Sequence, residues 1–208
     1  MTTSDNRTWW QVAGSLPTAV AVLVACNALY IFLVALGNII DYGTNFDFVQ
    51  HVLSMDTTNF GAEPGTNLDP DIIGRAITSS VIWNIAYIAL IIFESTAAIV
   101  LITSSVLWVR ALATRRSYDT AKSVSSIGLL MIILLFFAGF IDIGGEWFNM
   151  WRSTAWNGLE PAFRNAVLAT LTLVLIHTTS AAWLRRTPND TAPVQVAATP
   201  VQVVATER

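Results

Sequence analysis

Apolar residues fill four long runs along the chain, and polar stretches separate them. Ser15 to Gly37 is continuous. At about 1.5 Å per helical residue it crosses a hydrocarbon core of about 30 Å. Ile77 to Val109 is longer than a bilayer requires, so it tilts or projects from the surface. Ser126 to Ile143 and Arg164 to Leu184 are the third and fourth runs. The pattern predicts an all-α polytopic membrane protein, a four-transmembrane-helix bundle occupying residues 15–185. Residues 1–14 are a polar N-terminal segment. Residues 186–208 carry a short repeat, APVQVAA at 192–198 and TPVQVVA at 199–205. The two prolines of the repeat and the lack of a helical stripe predict that this tail is disordered.

The first run could pass for a signal peptide, because Ala35 and Gly37 imitate a small-x-small cleavage site. It exceeds the length of about 7–15 residues of a signal's apolar region, so an uncleaved anchor is expected. The loop of residues 38–76 is polar, with turns at Pro64-Gly65 and Asp69-Pro70. Inside it Phe46, Val49 and Leu53 recur at helical spacing, beside Phe48, Val52 and Met55. That spacing predicts a short helix lying on the membrane face, within a structured loop.

Charge adds orientation. Arg7, Arg110, Arg115, Arg116, Lys122, Arg185, Arg186 and Arg208 fall on one side of the predicted membrane, and Arg75, Arg152 and Arg164 on the other. Basic residues collect in the cytoplasm, so both termini are expected inside (N-in/C-in), and the loop between the first two helices is expected to be extracytoplasmic. Tryptophan agrees. Trp9, Trp10, Trp108 and Trp183 mark the inner ends, and Trp83, Trp147, Trp151 and Trp156 the outer ends. These are expected as interface anchors rather than a ligand cage.

Composition narrows the chemistry. Only 12% of residues are charged, against about 25% in soluble domains. The single cysteine, Cys26, excludes an intrachain disulfide and dithiol carrier chemistry. No phosphate-binding loop, nucleophile elbow or zincin motif is present. His51 and His177 fall on different sides of the midplane, which argues against a bis-histidine haem. No cofactor is expected. The basic residues fit the orientation rule and do not indicate nucleic acid.

Two stretches resemble a bacterial family of predicted small integral membrane proteins, defined only as a domain of unknown function. The first is NIIDY at 38–42, NF at 45–46 and FVQHVLSMDTT at 48–58. The second is GEWF at 145–148 with Met150 and Trp151, then WNG at 156–158 and AFR at 162–164. The resemblance covers roughly residues 15–185. It implies four spans in a bacterial plasma (inner) membrane and implies no activity.

Glu94 is the sharpest single feature, because a carboxylate deep in the second span costs at least about 2.5–3.5 kcal/mol unless neutral, paired or hydrated. Ser80, Trp83, Tyr87, Ala98, Leu101 and Ser105 share its stripe, which is expected to face the bundle. Asn27 and His177 are its expected depth-matched partners. The cluster of Glu94, Asn27, Tyr87 and His177 is either hydrogen-bond glue between helices or a polar pocket or proton route. A second group gathers acids of the outer side: Asp41, Asp47 and Asp56 with His51, and Asp142 with Glu146 four residues later. Asp142 and Glu146 are the candidates for holding a hard cation through oxygen, but no EF-hand or zinc spacing occurs, and helix capping, pairing with Arg75, Arg152 or Arg164, or hydration is the expected role of these acids.

Three functions fit. The first is an accessory or structural subunit of a membrane complex, with outer loops docking a membrane protein partner or a second copy. The second is a proton-coupled or small-solute carrier using Glu94. The third is an interfacial lipid or quinone enzyme using Asp142, Glu146 and His51. The absence of a complete catalytic set favours a non-enzymatic role.

Overall fold

The computed structural model describes residues 8–114 and 117–178. Arg7, Arg115, Arg116, Trp183, Arg185, Arg186, Arg208 and the tail 186–208 lie outside the described residues. Within them the regular structure is helical. A short α1 (Trp9–Ala13) precedes α2 (Leu16–Ile40), and α3 (Tyr42–Ser54) follows one residue later. Then come α4 (Ser80–Thr114), α5 (Asp119–Ile133) and α6 (Leu159–His177). A π-helical segment, Leu134–Trp147, continues α5 without a break. Four helices are long and apolar enough to cross a membrane, at 25, 35, 29 and 19 residues for α2, α4, α5 with its π extension, and α6.

Several boundaries differ from the sequence expectation, each for a physical reason. Pro17, in the first turn of α2, lacks an N–H that the turn would leave unpaired anyway. The helix then runs past Gly37 to Ile40, so Asn38 is helical and buried instead of lying in a loop. α5 starts at Asp119, well before Ser126. Ser125, expected in a polar linker, is fully buried: its hydroxyl shares a 2.6 Å hydrogen bond with Ser104 of α4. Small hydroxyl residues at such a contact let two helices approach closely. The π segment reaches Trp147, beyond the expected Ile143. α6 begins at Leu159, before Arg164, with Asn157 Oδ1 accepting the Leu159 N–H at 3.1 Å. Trp108, expected at an interface, is 0% exposed and donates its indole N–H to Ser125.

The core runs down the middle of the bundle. Val20, Val24, Ala28 and Ile31 of α2 meet Ala97, Ala98 and Leu101 of α4, and Leu129, Ile132, Ala166 and Ala169 pack with them. Only 28–33% of each membrane-length apolar window is buried inside the protein. Ile85, Ile92, Ile99 and Val106 of α4, spaced by seven, all point outward. Such a stripe suits lipid tails, which are as apolar as the side chains themselves.

The two long loops dock on each other at one end of the bundle, termed the loop end; the opposite end, where α4 turns into α5, is the turn end. Arg152 donates to Asp69 at 2.8 Å, Ser153 donates to Thr57 at 3.0 Å, and the Phe60 N–H donates to Arg152 O at 3.0 Å. The Arg152 hydrogen bond holds the Asp69 carboxyl below its ordinary range. A carboxyl depressed by folding stabilises the fold above its unfolded pKa, and that contribution disappears as pH falls through the folded value. Acidification below about pH 4 is therefore expected to loosen this cap. Amide exchange at residues 59–66 against pH reads the effect. Asp69→Asn should remove the acid-dependent step, and an unchanged step in that variant contradicts the assignment.

Candidate membrane-embedded polar cleft

Glu94 lies on the buried face of α4, 2% exposed. Its stripe turns with the helix. Tyr87, Ala98 and Leu101 are buried beside it, Trp83 and Ser105 are half-buried, and Ser80 is exposed. The partner of Glu94 is Asn38 near the end of α2, whose amide donates to Oε2 at 2.6 Å. Tyr87, about two turns earlier on α4, donates its hydroxyl to the Asn38 carbonyl at 3.2 Å. The Tyr87 ring packs on Tyr42 of α3, with centroids 4.6 Å apart. Three helices are thus tied together at the loop end of the bundle.

Beside this triad is a cleft of about 220 Å³. Val34 and Asn38 of α2, Asn45 of α3, Tyr87, Leu90 and Glu94 of α4, Phe136 and Phe140 of the π segment, and the start of α6 line it. Among the described residues, nothing hydrogen-bonds Glu94 Oε1, Asn38 Oδ1 or the Asn45 side chain. No basic side chain pairs with Glu94 there either. The lining offers free acceptors at Glu94, Asn38 and Asn45 and free amide donors at Asn45, and it is walled by aromatic rings.

The other two residues expected beside Glu94 stand elsewhere. Asn27 is eleven residues before Asn38 on α2, about 16 Å along the helix axis. It donates to Leu23 O at 2.8 Å and to Thr172 of α6 at 3.3 Å. His177, at the end of α6, shares a 2.9 Å hydrogen bond with Ser126 near the turn end. Asn27 and His177 therefore serve helix contacts of their own and do not border the cleft.

The loop-end acids are dispersed rather than gathered. Asp41 accepts from the Thr44 N–H at 3.5 Å at the start of α3. Asp47, Asp142 and Glu146 are exposed. No group of three or more His, Cys, Asp and Glu side chains arranged for a metal ion occurs among the described residues, Asp142 and Glu146 included. Asp56 instead binds His51: both its oxygens lie within 3.0 Å of Nδ1. The His51 ring stacks on Trp156 with centroids 4.6 Å apart. Of the remaining tryptophans, Trp83 donates to Ile77 O at 2.6 Å. Trp147 lies under Arg75 at 5.0 Å, and Trp151 lies under Arg152 at 5.1 Å. Trp147 and Trp151 stay largely exposed.

Sequence reading missed Asn38, Asn45 and the π segment. The two asparagines were present as a signal, inside the NIIDY and NF strings at 38–46. Residues 16–179 match one family model, described as "Predicted small integral membrane protein". No curated protein and no solved structure matches the chain.

Proposed function

The chain belongs to the DUF2165 family of small integral membrane proteins, and on that premise we propose that it binds a small hydrogen-bond-donating solute in the Glu94 cleft. One observation carries this reading: a buried carboxylate with one oxygen held by Asn38 and the other left for the cleft. If the glutamate served only as glue between helices, packing would use both oxygens or close the space beside it. An ammonium group suits the lining best. It brings positive charge to an uncompensated acid, and it carries three donors and no acceptor. Butylamine titrated calorimetrically into the protein in mild detergent tests this. Wild type should bind, and Glu94→Gln should bind at least tenfold more weakly. Equal affinity, or no binding by wild type, sinks the proposal.

The orientation belongs to the same proposal. Both termini and the turn end face the cytoplasm of a bacterial inner membrane, and the docked loops face outward. Support comes from eight basic residues against three across the membrane. With Cys26 replaced by Ala, Gly65→Cys should react with an impermeant maleimide added to intact cells, and Ser117→Cys should not. The opposite pattern reverses the topology.

A second reading is favoured by Phe60, 66% exposed in a left-handed backbone conformation (φ 57°) beside the exposed Trp151. An aromatic held so at a loop tip suits docking by a protein partner, as an accessory subunit would require. Phe60→Asp should then release a partner that co-purifies at native expression. Purification of wild type without one counts against the subunit role.

A further inference from the structure

A second cleft, of about 160 Å³, lies against the first. Phe48, Val49, Leu90 and Phe140 line both. Beyond that shared wall the lining changes character: Val52, Ala86, Leu135, Gly139, Ile143 and Phe148 offer no charge and no hydrogen-bonding side chain. The π segment contributes a wall to both clefts. Phe136 and Phe140 from this segment border the polar cleft, and Leu135, Gly139, Phe140 and Ile143 border the apolar one. Gly139 leaves room there, since a Cβ would meet only the oxygen of Leu134 in its own helix, at 3.7 Å. π turns inside α-helices are frequent at functional sites.

We infer that the two clefts form one site for a single-chain amphiphile, with an ammonium head at Glu94 and Asn45 and its alkyl tail across Phe48 and Phe140 in the apolar cleft. The inference rests on the proposed head-group site and adds the tail. The polar cleft alone would accept any small amine. An adjoining apolar cleft that shares four side chains with it selects for a chain attached to that amine. Such a ligand would reach the site from the bilayer, in which it is already dissolved.

Dodecylamine, butylamine and dodecanol serve as probes, each titrated into the full chain at fixed detergent. Each affinity is corrected for that probe's partition into protein-free micelles, which is the same for every variant, so differences between probes and between variants report the site. Wild type should bind dodecylamine at least tenfold more tightly than butylamine. Gly139→Leu, which fills only the apolar cleft, should remove that gain and leave butylamine binding as it was. Ala86→Leu fills the same space from α4 and should do likewise, which guards against a folding defect in either variant alone. Glu94→Gln should weaken both amines. The inference is overturned if dodecylamine gains nothing over butylamine, if both filling variants leave the gain intact, or if dodecanol binds as tightly as dodecylamine. Butylamine binding that still depends on Glu94 would in each case leave the head-group site standing. Its loss from wild type removes both.

Discussion

Trp108→Ala is expected to destabilise the folded protein by about 3–5 kcal/mol. The indole is 0% exposed. Its N–H donates to Ser125 Oγ at 2.9 Å, and its ring stacks on Tyr118 with centroids 5.4 Å apart. Lipid is no worse a solvent for an indole than a neighbouring helix, so the expected loss is not water exclusion. It is the loss of many dispersion contacts and the void left between α4 and α5. Ser125 keeps its bonds to Ser104 and to the Ala121 carbonyl, so no polar group is stranded. Trp108→Phe should therefore cost much less, about 0.5–1.5 kcal/mol for the hydrogen bond plus the ring difference. Titration with dodecyl sulfate from a mild detergent, followed by circular dichroism, measures both. Trp147→Ala is the comparison, because that ring is 56% exposed. Similar losses at 108 and 147 would mean that Trp108 is an interfacial anchor after all. Trp108 is fourteen residues from Glu94, about 21 Å along α4, so butylamine binding by the folded fraction should not change.

That contrast shows what was legible in the sequence. Four apolar runs and their basic flanks required nothing but length and hydropathy, and four membrane-length helices follow from them. The helix in the first loop was visible because Phe46, Val49 and Leu53 recur at the right spacing. Polar residues inside helices were the difficulty. Asn38 and Ser125 read as loop by polarity, yet each pairs with a side chain of another helix. Hydropathy scores a residue against water or lipid. It cannot tell that a second polar group waits at the same depth.

The same limit displaced the partners of Glu94. Trp83 and Trp108, as markers of opposite interfaces, place Glu94 about midway between them. Trp108 is buried, and α4 at 35 residues spans about 52 Å, far more than a bilayer core of about 30 Å. Midway along α4 is therefore not midway through the bundle. The antiparallel α2 meets Glu94 at Asn38 instead of Asn27. Tyr87 needed no depth scale, since it lies seven residues from Glu94 on the same helix, and it does border the cleft. The π segment had no signal at all. Its residues are mostly apolar with three glycines, a composition that an ordinary α-helix or a membrane span would also carry, and it packs chiefly against α6.

Gly128→Ala is expected to destabilise the bundle by about 1–3 kcal/mol through overpacking. A Cβ at this position of α5 would stand 2.6 Å from both Cδ2 and Cγ of Leu101 and 3.2 Å from Val100 Cγ1. Alanine also favours helix over glycine by about 1 kcal/mol, which opposes the clash. The clash should win, because Leu101 is 0% exposed in the core against α2 and α5 and cannot swing away without displacing its neighbours. Gly139→Ala gives the propensity effect without the clash, its nearest neighbour being the Leu134 oxygen at 3.7 Å. That variant should be neutral or slightly more stable. The decisive measurement is the double variant. Leu101→Ala alone should cost about 2–5 kcal/mol by opening a void, which the new methyl at position 128 partly fills. The pair should therefore lose less than the sum of the single losses by at least about 1 kcal/mol. Strict additivity would mean that α4 and α5 do not approach through this glycine, and the depth at which α4 presents Glu94 to α2 would have to be set by other contacts.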